Sequence, residues 1–176
     1  IFFPLNSSFL VLQTLNFSNY LTNLLKMIYK NPRPYWKSDI LDIVCNSGYG
    51  NPSGHSLVSL SFFLVFSHIV TNFDFFRKYK KGKILRIVIF SFCIILAALV
   101  IIGRVLLSAH SINQIIYGSL LGIGIYFVEI HIISYHTYSS EQFINHIVRK
   151  NVVIIYFIIY ALLIGLLFII YFSISD

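Results

Sequence analysis

Three short clusters of cationic and imidazole side chains stand in order along an otherwise apolar chain. Lys26 is followed after six residues by Arg33-Pro34; then come Pro52-Ser53-Gly54-His55; last come Arg104 and, after five residues, His110. Ionisable groups beside membrane-length apolar segments are costly and mark function. A shared anion would account for all of them, and phosphate fits best. Arg33 offers a planar fork of donors that matches a tetrahedral oxyanion better than a point charge does. Pro32 and Pro34 stiffen its loop. Ser53 can add a hydroxyl donor, and Gly54 lets the backbone come close to a ligand. An apolar helix is predicted to begin near Ser56, so its unpaired N–H groups and partial positive charge fall at the same place. His55 then stands at the anion's edge, where an imidazole can give or take a proton near neutrality. Each group also has an ordinary reading when taken alone. Lys26 could snorkel to an interface, residues 52–55 could be a capped loop, and His110 could be a satisfied loop histidine.

The elements that must position these groups read as membrane helices. The 176 residues are 57% hydrophobic and 11% charged, with mean hydropathy +0.81. A soluble domain typically carries about 25% charged residues. Apolar stretches at roughly 56–72, 84–103, 111–135 and 152–173 approach or exceed the ~20 residues needed to cross hydrocarbon as helix. A fifth, roughly 5–29, carries Asn6, Asn16, Asn19 and Asn23 and turns polar toward its end. The serines at 56, 59, 61 and 67 place the 56–72 helix inside a bundle rather than against lipid. Gly118-x-x-x-Gly122 is a close-packing motif for two helices. The expected fold is all-α: a polytopic transmembrane bundle with about five spans in this chain, forming one domain over residues 1–176. The chain starts at Ile1 and its only Met is Met27, so the reading is of an N-terminally truncated domain. Cys45 and Cys93 do not make a disulfide framework.

The net charge of +7 raises nucleic acid as a partner, but the basic residues concentrate in one short loop between apolar segments. That is a topology signal. Alternating spans put the loop 30–55, the connection 104–110 and the C-terminus on one face. All three clusters fall there. The other face carries Arg77, Lys78, Lys80, Lys81, Lys83, Arg86, Arg149 and Lys150. The positive-inside rule assigns the 73–86 loop to the cytosol and the clusters to the lumenal or extracytoplasmic face. The bilayer is the expected partner, nucleic acid is not, and complex or homo-oligomer partners stay open.

Together the clusters resemble the signature of the type-2 phosphatidic acid phosphatase superfamily, whose fold is shared with vanadium haloperoxidases. That signature reads Lys, six residues, Arg-Pro; Pro-Ser-Gly-His; then Ser-Arg, five residues, His, three residues, Asp. Lys26, Arg33-Pro34, residues 52–55, Arg104 and His110 match in type and spacing. The resemblance covers roughly residues 20–130 and implies six spans in a full protein. Two positions depart from it: Gly103 stands for the usual Ser and Gln114 for the usual Asp. A Gln can accept a hydrogen bond from the nucleophilic His and orient it, but brings no charge. The glucose-6-phosphatase branch is similar in having Gln there and in reading Arg-Pro-Tyr-Trp, as at residues 33–36.

The resemblance implies a metal-independent phosphatase acting through a phosphohistidine. His110 would be the nucleophile, and His55 the acid and then the base. Lys26, Arg33, Arg104, Ser53 and the Gly54 N–H would hold the phosphate oxygens, with Gln114 in support. No cofactor is implied, and no carboxylate cluster or Cys/His set suggests a metal. His68, His131, His136 and His146 receive no catalytic role. The expected substrate is a lipid phosphate such as phosphatidate or a sphingoid-base phosphate. A sugar phosphate, a phosphotransfer to a lipid alcohol, and a catalytically weak subunit of a membrane complex are the rivals.

Overall fold

The computed structural model describes residues 5–34, 48–72 and 82–137, together with eight helical residues between 158 and 169. Within these, four long helices form: α1 Leu5–Tyr29, α2 Gly54–Thr71, α3 Gly82–Leu106 and α4 Ile112–Thr137. Among the described residues there is no strand, and the fold is all-α. The basic loop up to residue 81, residues 35–47, the 138–151 segment and most of the final predicted span lie outside them. The chain separates into two compact units, Ile1–Glu129 and Ile130–Asp176. The first contains every predicted site residue; the described positions of the second are helical, with Leu162 and Ile169 exposed.

Among the described residues, three helices are long and apolar enough to cross a membrane: α2, α3 and the Ile112–His131 part of α4. α1 has 25 residues, about 37 Å at the usual rise. Its asparagines keep it out of the apolar group, so its expected crossing rests on length.

α2 is the centre of the first unit. It packs against α1 on one side and α3 on the other. Its buried face is half serine: Ser56, Ser59, Ser61 and Ser67 alternate with Leu57, Leu64, Val65 and Ile69. Small hydroxyls allow close approach and satisfy themselves locally. Ser59, Ser61 and Ser67 donate to carbonyls three residues back, and Ser61 Oγ also meets Ser18 Oγ of α1 at 2.8 Å. α1 answers with Thr14, Ser18 and Thr22, all buried and one turn apart. α4 approaches α2 backbone to backbone. A Cβ on Gly118 would sit 2.5 Å from the Ser53 carbonyl, and one on Gly122 would sit 2.6 Å from that of Leu57. The glycine pair therefore does pack helices, and one member lies directly behind the Pro-Ser-Gly-His segment.

The helix ends explain where the loops go. α1 stops at Lys30, whose φ of +45° is left-handed and whose N–H reaches the Lys26 carbonyl at 3.1 Å. α3 stops in a Schellman turn: Ala109 N–H donates to the Arg104 carbonyl at 3.2 Å and Ser108 N–H to that of Val105 at 2.9 Å. Ser108, at φ +51°, takes the left-handed place that glycine usually fills. His110 follows at once.

Candidate active site

The C-terminal ends of α1 and α3 and the N-terminal ends of α2 and α4 meet at one end of the first unit. They bring all three sequence clusters together. Lys26 lies in the last turn of α1, its Nζ only 3.9 Å from where a Gly54 Cβ would stand. A side chain at residue 54 would also strike Thr22 Cγ2 at 2.8 Å, so the glycine is needed for packing. Arg33 follows α1 and is buried. Its Nε donates to the Gly48 carbonyl at 2.8 Å and one Nη to that of Ala109 at 3.2 Å. Part of the fork foreseen for an oxyanion is thus spent tying the first cluster to the second and third.

Ser53 is the N-cap of α2 and is fully buried. It makes no capping bond; its Oγ instead accepts from Ser56 Oγ at 2.9 Å, which leaves its own O–H to donate. The predicted helix start near Ser56 moves back to Gly54, because Leu57 N–H already reaches the Ser53 carbonyl at 3.1 Å. His55 is exposed at the mouth of the cluster, within the electrostatic reach of Arg104, Lys26 and Arg33. Arg104 lies in the last turn of α3, which continues two residues beyond it. Its Nε is buried without a hydrogen-bond partner. A guanidinium N–H left unpaired in a buried place is costly and points to a missing acceptor.

His110 is 4% exposed, and its Nδ1 lies 2.8 Å from the Gly50 carbonyl. Burial, first, and then the charge of Arg33 lower its pKa to about 4; the Gly50 bond opposes them, and Lys26 and Arg104 add smaller shifts downward. The ring is neutral across the physiological range, as a nucleophile requires.

Gln114 is placed differently from expectation. Its amide makes no direct hydrogen bond to the His110 ring. Its Oε1 accepts from Ser111 N–H at 3.1 Å, its own N–H reaches Ser111 Oγ at 3.4 Å, and its Nε2 donates to the Pro32 carbonyl at 3.0 Å. The first two bonds are a capping box at the start of α4. The imidazole Nδ1 goes to the Gly50 carbonyl instead. Ser-x-x-Gln before an apolar helix is the sequence signal for this role. The Gly50 carbonyl has no such signal, since backbone groups carry no residue type.

The apolar side of the site is a cleft of about 270 Å³ lined by Leu15, His55, Val58, Ser59, Phe62 and Val100. It runs down the outward face of α2 between α1 and α3, and begins at His55.

The PAP2 superfamily model matches residues 8–138. Dolichyldiphosphatase 1 of Dictyostelium discoideum is 34% identical over 138 residues, covering 76% of this chain and 56% of that protein. The palmitoyl-protein thioesterase-dolichyl pyrophosphate phosphatase fusion 1 of Schizosaccharomyces pombe is 28% identical over 109 residues, covering 61% of this chain and 16% of that protein. The chain therefore spans little more than half of the first relative and a small part of the second. No solved structure gives a significant match.

Proposed function

We infer the activity from a settled premise: this chain belongs to the PAP2 superfamily. The reading is a membrane-embedded phosphatase that removes the terminal phosphate of a lipid phosphate or lipid diphosphate. The observation that carries it is the buried, unpartnered Nε of Arg104 beside Lys26, Arg33 and a neutral His110. Such a concentration of positive charge around a lone-pair donor suits a phosphoryl group.

In the proposed reaction the Nε2 lone pair of His110 attacks phosphorus in line. The bond from phosphorus to the leaving oxygen breaks, and His55 protonates that oxygen. His55 then takes a proton from water, whose oxygen attacks the phosphohistidine. The N–P bond breaks, releasing inorganic phosphate and the neutral ring. Lys26, Arg104, Arg33, the Ser53 hydroxyl and the Gly54 N–H stabilise the equatorial oxygens, and such positioning supplies most of the catalysis in phosphoryl transfer. The site would face the lumenal or extracytoplasmic side, with residues 73–86 in the cytosol.

The apolar cleft favours a lipid over a sugar. It starts at His55, where the leaving group would depart, and follows the apolar length of α2 past Val58 and Phe62. The two relatives are named for dolichyl diphosphate chemistry, which supports a polyisoprenyl diphosphate as the first substrate to try. The test is phosphate release by the purified protein from a polyisoprenyl diphosphate, phosphatidate and glucose 6-phosphate, with His110→Ala as control. Release from a lipid, abolished in the folded His110→Ala protein, supports the reading. Equal release from that variant removes His110 as nucleophile. Preference for glucose 6-phosphate removes the lipid assignment, and no release from any substrate leaves the structural-subunit reading.

A further inference from the structure

We propose that the Gly50 carbonyl, braced by the Gln114 side chain, is the positioning group for the His110 nucleophile. It stands in for the carboxylate expected at residue 114, and the proposal rests on the phosphatase reading above.

A carbonyl oxygen has only lone pairs to offer, so the 2.8 Å contact requires the hydrogen on Nδ1. The lone pair is then on Nε2, the tautomer that attack demands. Direction alone would be lost if the carbonyl could swing. It is held on both sides. Gly50 N–H donates to the Asn31 carbonyl at 2.8 Å. On the other side the Gln114 amide rests against the Gly50 backbone so closely that a Cβ there would lie 2.7 Å from Nε2 and 2.8 Å from Oε1. The amide itself is fixed by two partners of opposite kind, Ser111 N–H and the Pro32 carbonyl, so its oxygen and nitrogen cannot be exchanged. Its backbone carbonyl accepts from Ser53 N–H at 3.0 Å. One residue therefore ties together Pro32 beside Arg33, Ser53 of the second cluster, and Ser111 beside His110.

A carboxylate could not do this. Asp is one methylene shorter, and neither Asp nor Glu in ionised form has an N–H for the Pro32 carbonyl. Glutamine at residue 114 is thus a strut matched to a backbone acceptor, and the missing charge is part of the arrangement.

The decisive measurement needs no substitution: the 15N imidazole spectrum of His110 in the full chain in detergent at neutral pH. The proposal expects the hydrogen on Nδ1. A His110 protonated on Nε2 overturns it, whether or not phosphate is released. Two variants then test the brace. Gln114→Glu keeps the capping-box acceptor but loses the donor to Pro32. It should lower kcat/KM about 10- to 100-fold, by analogy with the loss when a partner orienting a metal-ligating histidine is removed, with a mixed tautomer in the spectrum. Gln114→Asp should fare no better. If either acid matches or exceeds wild type, residue 114 serves His110 through charge and the proposal fails. A correct tautomer in a protein that releases no phosphate keeps the positioning and removes the reaction instead.

Discussion

α2 and α3 lie against each other and are built in opposite ways. α2 buries serines and turns its polarity inward, where hydroxyls find carbonyls and each other. α3 buries little beyond Gly82, Cys93 and Ala97, and exposes Phe92, Ile95 and Leu99 along its length. In water this would be inside out. In a bilayer the lipid takes the apolar face and the interior gains nothing from greasiness, so close approach and hydrogen bonds decide what is central. Beyond its basic first turns, with Lys83 and Arg86, α3 carries one more charged group: Arg104, at the end where all four helices meet. The difference teaches that the helix with fewer apolar residues is the core, and the more apolar one is a wall that brings one charged group to that end.

This contrast can be broken in graded steps. Arg104→Ala removes that charged group, and phosphate release should fall about 10²- to 10³-fold at unchanged thermal stability, as for loss of one oxyanion donor. A matching loss of stability would mean Arg104 holds the fold instead. Gly118→Val forces a side chain against the Ser53 carbonyl behind α2. It should cost about 3 kcal/mol, the upper end for overpacking, read as a lowered unfolding temperature. Little change would show that α4 can retreat.

Acidification comes next in size. The lowered pKa of His110, about 4, reflects burial and neighbouring cations that disfavour the charged ring. The nucleophile stays neutral as pH falls and is lost only through the folded-state value. The acid limb of kcat/KM reports the free enzyme. Corrected for substrate ionisation at about 6, it should fall near pH 4. An ordinary imidazole would already have lost about thirtyfold at pH 5, and such an early limb would contradict the geometry. Ser61→Val cuts the Ser18 contact between α1 and α2 and should destabilise by about 0.6 kcal/mol, the average for such bonds inside membranes. Leu99→Ala, on a wall residue 60% exposed, should stay within about 0.5 kcal/mol. If the order of these last two is reversed, α3 rather than α2 is the centre.

The sequence made much of this legible because membrane helices write themselves in long runs. Predicted spans at 56–72, 84–103 and 111–135 became Gly54–Thr71, Gly82–Leu106 and Ile112–Thr137, with ends set by caps rather than by hydropathy. The serines read as interior are interior. The spacing of Lys26, Arg33, Ser53, His55, Arg104 and His110 foretold a common place, and they share one. What stayed hidden was backbone chemistry. No residue type announces that the Gly50 carbonyl holds an imidazole, or that Arg33 gives two donors to carbonyls. Gln114 was noticed as a departure, and its partners lie 82 and 3 residues away. Only the nearer could have been read, from the capping-box pattern.

The contact of Gly118 with Ser53 has a consequence for biosynthesis. A ribosome finishes the first two clusters long before the third, and the early helices enter the bilayer without a partner behind α2. Until α4 is made, its glycines cannot back Ser53, and the Gln114 side chain does not exist. The grouping of the three clusters is therefore incomplete through the synthesis of α3, and is closed by the arrival of one glycine-bearing helix. A chain released before residue 104 would carry Lys26 and Arg33 into the membrane without the third cluster, an unfinished species for quality control to find.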